Sequence, residues 1–253
     1  MSLILVTNDD GIQSPALAAL RRELQDVGDV IVFAPDHNWS AASHTRTFHK
    51  PLRVFEGKLT DGSATLTTNG GPADCAALAA LGVFSRRPDL VVSGINAGAN
   101  LGRDVILSGT VAAAMESFMS GIPAIAVSLH IEESQAPDYD CAARFAAQLA
   151  RQVLFSGRKD LLLNVNVPNI PCDRITGVEI TRLGKLIYQE SLIEREDPHG
   201  HKYYWFGGSP PDRVLEAGTD VAAVAAHRVS VTPLQHDLTD YGILDELKAW
   251  GLG

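Results

Sequence analysis

Residues 3–11 have the sequence LILVTNDDG, an apolar run that ends in two adjacent carboxylates and a glycine. The run Leu3–Val6 is rich in branched residues and predicts a buried β-strand. A helix is predicted to begin near Ser14. Asp9 and Asp10 would therefore lie at the carboxyl end of a strand, where open α/β sheets bind their ligands.

The acid pair Asp9-Asp10 has two interpretations. Adjacent carboxylates in a crevice raise each other's pKa unless a cation neutralises them. Carboxylate oxygens suit hard divalent ions such as Mg²⁺, Mn²⁺ or Ca²⁺. Asn, Asp and Gly are also the commonest turn residues, so Asn8–Gly11 could form only a polar turn. Both interpretations stay open on this motif alone.

Strands and helices alternate over the first two thirds of the chain. The predicted strands are 3–6, 29–34, 88–93, 122–128 and 161–167, and the predicted helices are 14–25, 70–84, 108–116 and 139–155. Two short β pieces are expected in 50–68, around an Asp61-Gly62 turn. This alternation predicts an α/β fold with a mainly parallel sheet and helices on both faces.

The pattern changes after Pro168. Residues 176–208 contain strand-like pieces with aromatic side chains and turn signals, which predicts a hairpin excursion. A helix over 219–226, a strand over 228–232 and a short amphipathic tail over 238–250 follow. We expect a single domain, with residues 1–170 as the catalytic core and 171–253 as the C-terminal excursion.

The composition excludes several functional classes. The chain has 253 residues, 45% of them apolar and 20% charged, which is typical of a globular protein. Its net charge of −9 argues against a surface for nucleic acid polymers or anionic membranes. With no run long enough to span a membrane and no leader pattern, we expect a cytoplasmic protein. Cys75, Cys141 and Cys172 are widely spaced and predict neither a disulfide framework nor a zinc site.

Further oxygen side chains follow other predicted strands. Asn96 follows the strand at 88–93, and Ser40 lies in the polar loop after 29–34. If these strands neighbour the first one, both side chains would join Asp9 and Asp10 in one crevice. Two acids and two neutral oxygens could hold a hard divalent ion and leave room for a substrate phosphate.

The segment Ser108-Gly109-Thr110 opens a strongly predicted helix. Free backbone N–H groups at such a start, together with two hydroxyls, can bind an anion. An ordinary capped helix is the alternative. His44 lies in the polar loop, where it could touch a phosphate or be solvated.

Taken together, these motifs closely resemble the SurE family of survival proteins, which are metal-dependent 5'-nucleotidases. The matching segments are Asn8–Gly11, Ala34–Asp36 with Asn38 and Ser40, Gly71–Cys75, Pro88–Gly102, Asp104-Val105, Ser108–Glu116, Gly218–Asp220 and Val229–Leu234. The resemblance implies a Rossmann-like three-layer core. It also implies a C-terminal hairpin exchanged between subunits of a homodimer or homotetramer.

The resemblance also implies roles for individual residues. It implies hydrolysis of nucleoside 5'-monophosphates by a metal-activated water, with one Mg²⁺ or Mn²⁺ per subunit. The implied metal ligands are Asp9, Asp10, Ser40 and Asn96, and either acid could also be the general base. The implied phosphate contacts are Asn8, Ser43, His44, Ser108, Gly109 and Thr110.

Some positions depart from the family pattern. The family usually has Arg at the position of Trp39, Asn-Ser at His44-Thr45, an acid at Arg103 and an aromatic residue at Leu107. These changes leave substrate preference and phosphate affinity open. Short polyphosphate could be a secondary substrate. A non-catalytic nucleotide-binding or sensory module is the main alternative. A phosphatase with an aspartyl-phosphate intermediate would need a D-x-D motif, which Asn8-Asp9-Asp10-Gly11 lacks.

Overall fold

The computed structural model describes residues 1–132 and 135–251. The strands are β1 (Leu3–Thr7), β2 (Asp29–Pro35), β3 (Val54–Lys58), β4 (Ala64–Thr68), β5 (Leu90–Asn96), β6 (Ala124–His130), β7 (Leu162–Pro168), β8 (Val178–Ile180), β9 (Lys185–Glu196), β10 (Lys202–Val214) and β11 (Val229–Pro233). The α-helices are α1 (Pro15–Leu24), α2 (Pro72–Ala80), α3 (Gly109–Met119), α4 (Tyr139–Ser156), α5 (Asp220–Ala225) and α6 (Leu244–Lys248), with 3₁₀ segments at Gly102–Ile106 and Cys172–Arg174.

Within the described residues, nine strands form the main sheet, in the order β3-β4-β2-β1-β5-β6-β7-β11-β8. Every residue of β1 is buried, as its apolar sequence requires. β1 pairs in parallel with β2 on one side and with β5 on the other. β3 is antiparallel to β4, and β11 is antiparallel to β7. The sheet is therefore mainly parallel, which confirms the prediction.

Helices cover both faces of this sheet. On one face, Leu17 and Leu20 of α1 and Ala146 of α4 are fully buried in one apolar cluster with the sheet. On the other face, Ala79 of α2 and Ala114 of α3 are buried in a second cluster. Removing this apolar surface from water supplies the main driving force for folding. The predicted three-layer α/β core is confirmed.

Within the C-terminal excursion, β9 and β10 form a long antiparallel hairpin. Most of its side chains are exposed, including Trp205 at 63% and Phe206 at 93% of their surface. A two-stranded hairpin with such exposure is marginally stable by itself. The predicted hairpin is present, and α6 in the tail has no buried residue.

The prediction that the cysteines form no disulfide was wrong, because Cys141 and Cys172 are bonded with their Cα atoms 5.7 Å apart. Cys141 lies in the first turn of α4, and Cys172 begins the 3₁₀ segment after β7. The crossover through α4 brings the two residues together although 31 positions separate them in sequence. No local pattern reports such a contact. Cys75 is a buried free thiol.

Among the described residues, no helix combines the length and apolarity that crossing a membrane requires.

Candidate active site

The loops after β1, β2 and β5 meet at one edge of the sheet. Because β1 lies between β2 and β5, the carboxyl ends of these parallel strands are adjacent. The loops and the start of α3 enclose an open cavity of about 300 Å³. Its lining consists of Asp9, Asp10, Ser40, Ala41, Asn96, Ala97, Ala99, Asn100, Asp104, Leu107 and Ser108. The structure thus places all four expected metal ligands on one cavity.

Asp9 is the more deeply buried of the two acids, with 3% of its surface exposed. Its Oδ1 accepts a hydrogen bond of 2.5 Å from the Thr110 hydroxyl, and its backbone carbonyl accepts one of 2.7 Å from the Trp39 amide. Burial raises the pKa of this carboxyl, and the Thr110 hydrogen bond partly offsets that rise. Asp9 is therefore fixed to α3 on one side and to the loop after β2 on the other.

Asp10 has its pKa raised to about 6 by burial and, secondarily, by repulsion from Asp9. A bound cation would relieve both effects, since it stabilises the ionised forms. Among the residues that the structure describes, no group of three or more His, Cys, Asp or Glu side chains has the arrangement of a metal site. Two carboxylates leave further coordination positions that neutral oxygens of the cavity could fill.

Asn96 and Ser40 supply neutral oxygens of the required kind. Asn96 Nδ2 donates to the Gly98 carbonyl across 2.8 Å, which orients the amide. Ser40 is exposed, and its backbone N–H donates to Asn38 Oδ1 across 2.6 Å. Carboxylates with hydroxyl and amide oxygens form a hard donor set, so the residues fit Mg²⁺ or Mn²⁺.

The start of α3 borders the same cavity. The Ser108 side chain caps the helix by accepting the Val111 N–H across 3.2 Å. A Cβ atom at Gly109 would lie 2.8 Å from the Asp9 Cβ, so only glycine allows this approach. The positive end of the helix dipole is thus packed directly beside Asp9, in the position where an anion would be stabilised.

Three of the expected phosphate-contacting side chains have protein partners elsewhere. Asn8 is buried and exchanges two hydrogen bonds with the Gly11 backbone, closing the turn after β1. Ser43 donates its hydroxyl to the Ile106 carbonyl across 2.7 Å. His44 Nε2 lies 2.8 Å from Glu116 Oε2. None of the three is among the residues that line the cavity with the acids.

Two further polar residues of the cavity were not assigned a role from the sequence. Asn100 donates from Nδ2 to the Ser128 hydroxyl across 2.8 Å, and its carbonyl accepts from the amides of Asn164 and Asn166. The sequence feature that could have predicted this network is the pair Asn164 and Asn166, which alternate with apolar residues in β7. Asp104 accepts the Tyr188 hydroxyl from β9 at 2.6 Å, a contact that no local pattern reports.

Two departures from the family pattern also have identifiable contacts. The Arg103 guanidinium lies 4.1 Å above the centre of the Tyr188 ring, a cation–π contact with the hairpin. The Trp39 ring packs against Gly71, where a Cβ would lie 3.4 Å from it.

Comparisons with known proteins identify the family of this chain. The family model described as Survival protein SurE matches residues 4–190. The 5'-nucleotidase SurE of Chloroflexus aggregans is 49% identical over 248 residues, which cover 98% of each chain. The 5'-nucleotidase SurE of Herpetosiphon aurantiacus is 52% identical over 238 residues, covering 94% of this chain and 93% of that one.

A solved structure gives the same result at the level of the fold. The crystal structure of the SurE protein from Aquifex aeolicus superimposes with a TM-score of 0.83 at 40% identity. The superposition covers 98% of this chain and 99% of that one. The chain therefore belongs to the SurE family.

Proposed function

We propose that this protein hydrolyses nucleoside 5'-monophosphates to nucleoside and inorganic phosphate with the help of one divalent metal ion per subunit. The observation that carries the proposal is the acid pair of buried Asp9 and half-buried Asp10, which shares a cavity with Ser40, Asn96 and the start of α3. Relatives that match nearly the whole chain are named 5'-nucleotidases, which supports this substrate class.

Asp9, Asp10, Ser40 and Asn96 would hold the ion. Mg²⁺ and Mn²⁺ both prefer such oxygen ligands. When bound, the ion would polarise a phosphoryl oxygen and lower the pKa of a water molecule.

The protein's own groups complete the site. The first-turn N–H groups of α3 and the residues Ser108, Gly109 and Thr110 would bind the substrate phosphate, whose charge the helix dipole stabilises. Thr110 holds Asp9 in place through its hydroxyl. Asp9 or Asp10 would accept the proton of the attacking water.

Phosphate release from a panel of nucleoside monophosphates tests the function. We expect release with Mn²⁺ or Mg²⁺, abolition by EDTA and loss of turnover in Asp9→Ala, whose circular dichroism should match the wild type. Tight nucleotide binding without release in any divalent metal would instead favour a non-catalytic binding module. Near wild-type activity of Asp9→Ala at saturating metal would contradict the role of Asp9.

We also propose that the β9–β10 hairpin mediates assembly into a homodimer or homotetramer. Leu192, Trp205 and Phe206 expose 66%, 63% and 93% of their surface, which favours burial against a second subunit. Light scattering on the wild type and on the double variant Trp205→Ser/Phe206→Ser tests this. We expect an oligomer that the double variant weakens, whereas a monomeric wild type would contradict the proposal. The cytoplasmic location expected from the sequence stays a proposal, which cell fractionation would test.

A further inference from the structure

A cluster of polar side chains, two of them buried carboxylates, lies between α2, α3 and the loop after β2, and none of its members lines the cavity of Asp9. We call it the Glu116 cluster; it consists of Glu116, Asp74, His44 and Arg46. Glu116 exposes 8% of its surface and Asp74 1%. Buried carboxylates of this kind need partners, because desolvation without hydrogen bonds is costly.

Glu116 uses both carboxylate oxygens to bind the loop. Its Oε2 lies 2.8 Å from His44 Nε2, and its Oε1 accepts from Arg46 Nη1 at 2.5 Å. A charge-assisted bond to guanidinium is among the stronger side-chain hydrogen bonds. One side chain of α3 therefore holds two residues of the loop.

Asp74 holds the same loop from α2. Its Oδ1 accepts the Thr47 backbone N–H across 3.0 Å and lies 3.4 Å from Arg46 Nε, an ion pair without hydrogen-bond geometry. Its Oδ2 accepts the Gly71 N–H across 3.0 Å. Residues 44–47 are thus fixed to two helices, which accounts for Asp74 in the motif Gly71–Cys75.

The loop has little regular structure with which to hold its own shape. Residues 36–53 contain no helix or strand, although the structure describes all of them. Ala41 and Ser43 have φ values of 60° and 52°, a left-handed conformation that non-glycine residues adopt at a cost. Ser40 is an exposed residue of this segment, and it lines the cavity that contains Asp9 and Asp10. Its position therefore depends on where the loop is anchored. On one side of Ser40 the Trp39 N–H donates to the Asp9 carbonyl; on the other side Ser43 donates to the Ile106 and Leu107 carbonyls, and residues 44–47 add the contacts to the two helices.

We propose that Glu116 is a positioning residue that sets the place of Ser40 in the metal cavity by holding His44 and Arg46. Glu116 lies about two helical turns beyond Ser108 on the same helix. The residue that holds the loop and the helix start that borders the cavity are therefore parts of one rigid element. This inference rests on the proposed function, because it treats the cavity as a metal site.

Metal binding without turnover tests the role of Glu116. In Glu116→Ala, we expect the Mn²⁺ dissociation constant, measured by calorimetry without substrate, to rise at least about tenfold, as for the loss of groups that orient ligands. Glu116→Gln keeps one oxygen acceptor and should fall between the wild type and Glu116→Ala. The Mn²⁺ concentration for half-maximal activity should shift in parallel, and kcat at saturating Mn²⁺ should change less than about threefold.

Limited proteolysis tests directly whether the loop is released from the helices. We expect trypsin to cleave native Glu116→Ala first after Arg46, and the wild type to resist cleavage there, since released loops are cut preferentially. The matched control is Ala114→Gly, which weakens the same helix without removing a contact to the loop. It should keep both the wild-type Mn²⁺ affinity and the wild-type cleavage pattern.

Either of two results would overturn the inference. One is an unchanged Mn²⁺ affinity in folded Glu116→Ala, and the other is an equal loss of affinity in Ala114→Gly. Neither measurement needs catalysis. A wild type that binds Mn²⁺ and releases no phosphate would contradict the proposed function and leave the positioning role of Glu116 to be decided by these binding data.

Discussion

The Thr110 hydroxyl donates to Asp9 Oδ1 across 2.5 Å, in a contact that spans 101 positions of the sequence. It joins the first turn of α3 to the end of β1, the two elements that contribute most directly to the cavity. A buried carboxylate oxygen is thereby oriented by a residue of the helix that would bind the substrate.

Thr110→Val removes this hydrogen bond with little change of shape. We expect the affinity for Mn²⁺ to fall about tenfold or more, because Asp9 loses the group that orients it. Calorimetric titration with Mn²⁺ measures the change. Thr110→Ser keeps a hydroxyl and is expected to retain most of the affinity; an equal loss in both variants would show that packing, and not the hydrogen bond, is responsible.

Gly109→Ala introduces a Cβ atom 2.8 Å from the Asp9 Cβ and 2.9 Å from its Oδ2. Since the Gly109 backbone and the Asp9 side chain are both buried, we expect a loss of stability of about 1–3 kcal/mol from overpacking. The displaced carboxylate should also reduce kcat/KM for nucleoside monophosphates by at least about a hundredfold, as small misplacements of reacting groups do. Urea unfolding and steady-state kinetics measure the two effects. Wild-type kinetics in this variant would show that Asp9 tolerates displacement.

His130 predicts a pH-dependent term in stability. Burial lowers the pKa of His130, the Arg213 charge lowers it further, and Glu132 partly opposes the shift. Its buried Nε2 has no hydrogen-bond partner among the described residues. Because the unfolded chain binds the proton more readily, this stabilisation is present above the unfolded pKa, near 6.5, and is lost as the pH falls.

We therefore expect His130 to contribute a term that lowers the free energy of unfolding as the pH falls from about 7 to 5, with a slope of up to about 1.4 kcal/mol per pH unit. Asp10, whose pKa is raised to about 6, contributes with the opposite sign in the same range. Urea unfolding at several pH values measures this slope. His130→Asn should remove the contribution of His130 and leave that of Asp10, whereas His199→Asn, at an exposed position of the hairpin turn, should leave the wild-type slope unchanged. Equal slopes for the wild type and His130→Asn would refute the assignment.

The Cys141–Cys172 disulfide should stabilise the crossover between β6 and β7. It links residues 31 positions apart, and the loop-entropy relation gives about 3–4 kcal/mol for such a link. We expect thermal unfolding to shift to lower temperature on reduction or in Cys172→Ser, and reductant to have no further effect on that variant. A melting temperature unaffected by reductant in the wild type would show that the link contributes little.

The sequence was most informative where chemistry and strand order coincide. Apolar β1 followed by Asp9 and Asp10 predicted a buried strand with an acid pair at its carboxyl end, and the later strand ends predicted that Ser40 and Asn96 would lie in the same crevice, as they do. What it did not reveal are contacts between distant loops. His44 faces Glu116, and Asp104 receives the Tyr188 hydroxyl, because the packing of helices and hairpin decides those pairs. The type of a residue alone does not predict which distant residue it contacts.

The asparagines of β7 have a consequence for folding. Asn164 and Asn166 both donate to the carbonyl of Asn100, in the Gly-rich loop of the cavity. Successive residues of a strand face opposite sides, so a slip of one position would turn both amides away and leave that carbonyl without a donor in the interior. The loop is thereby tied to a central strand. The backbone N–H of Asn100 also donates to Asn166 Oδ1, across 2.8 Å. We expect this backbone hydrogen to exchange with solvent only through global unfolding. The rim of the cavity and the core would then form one cooperative unit.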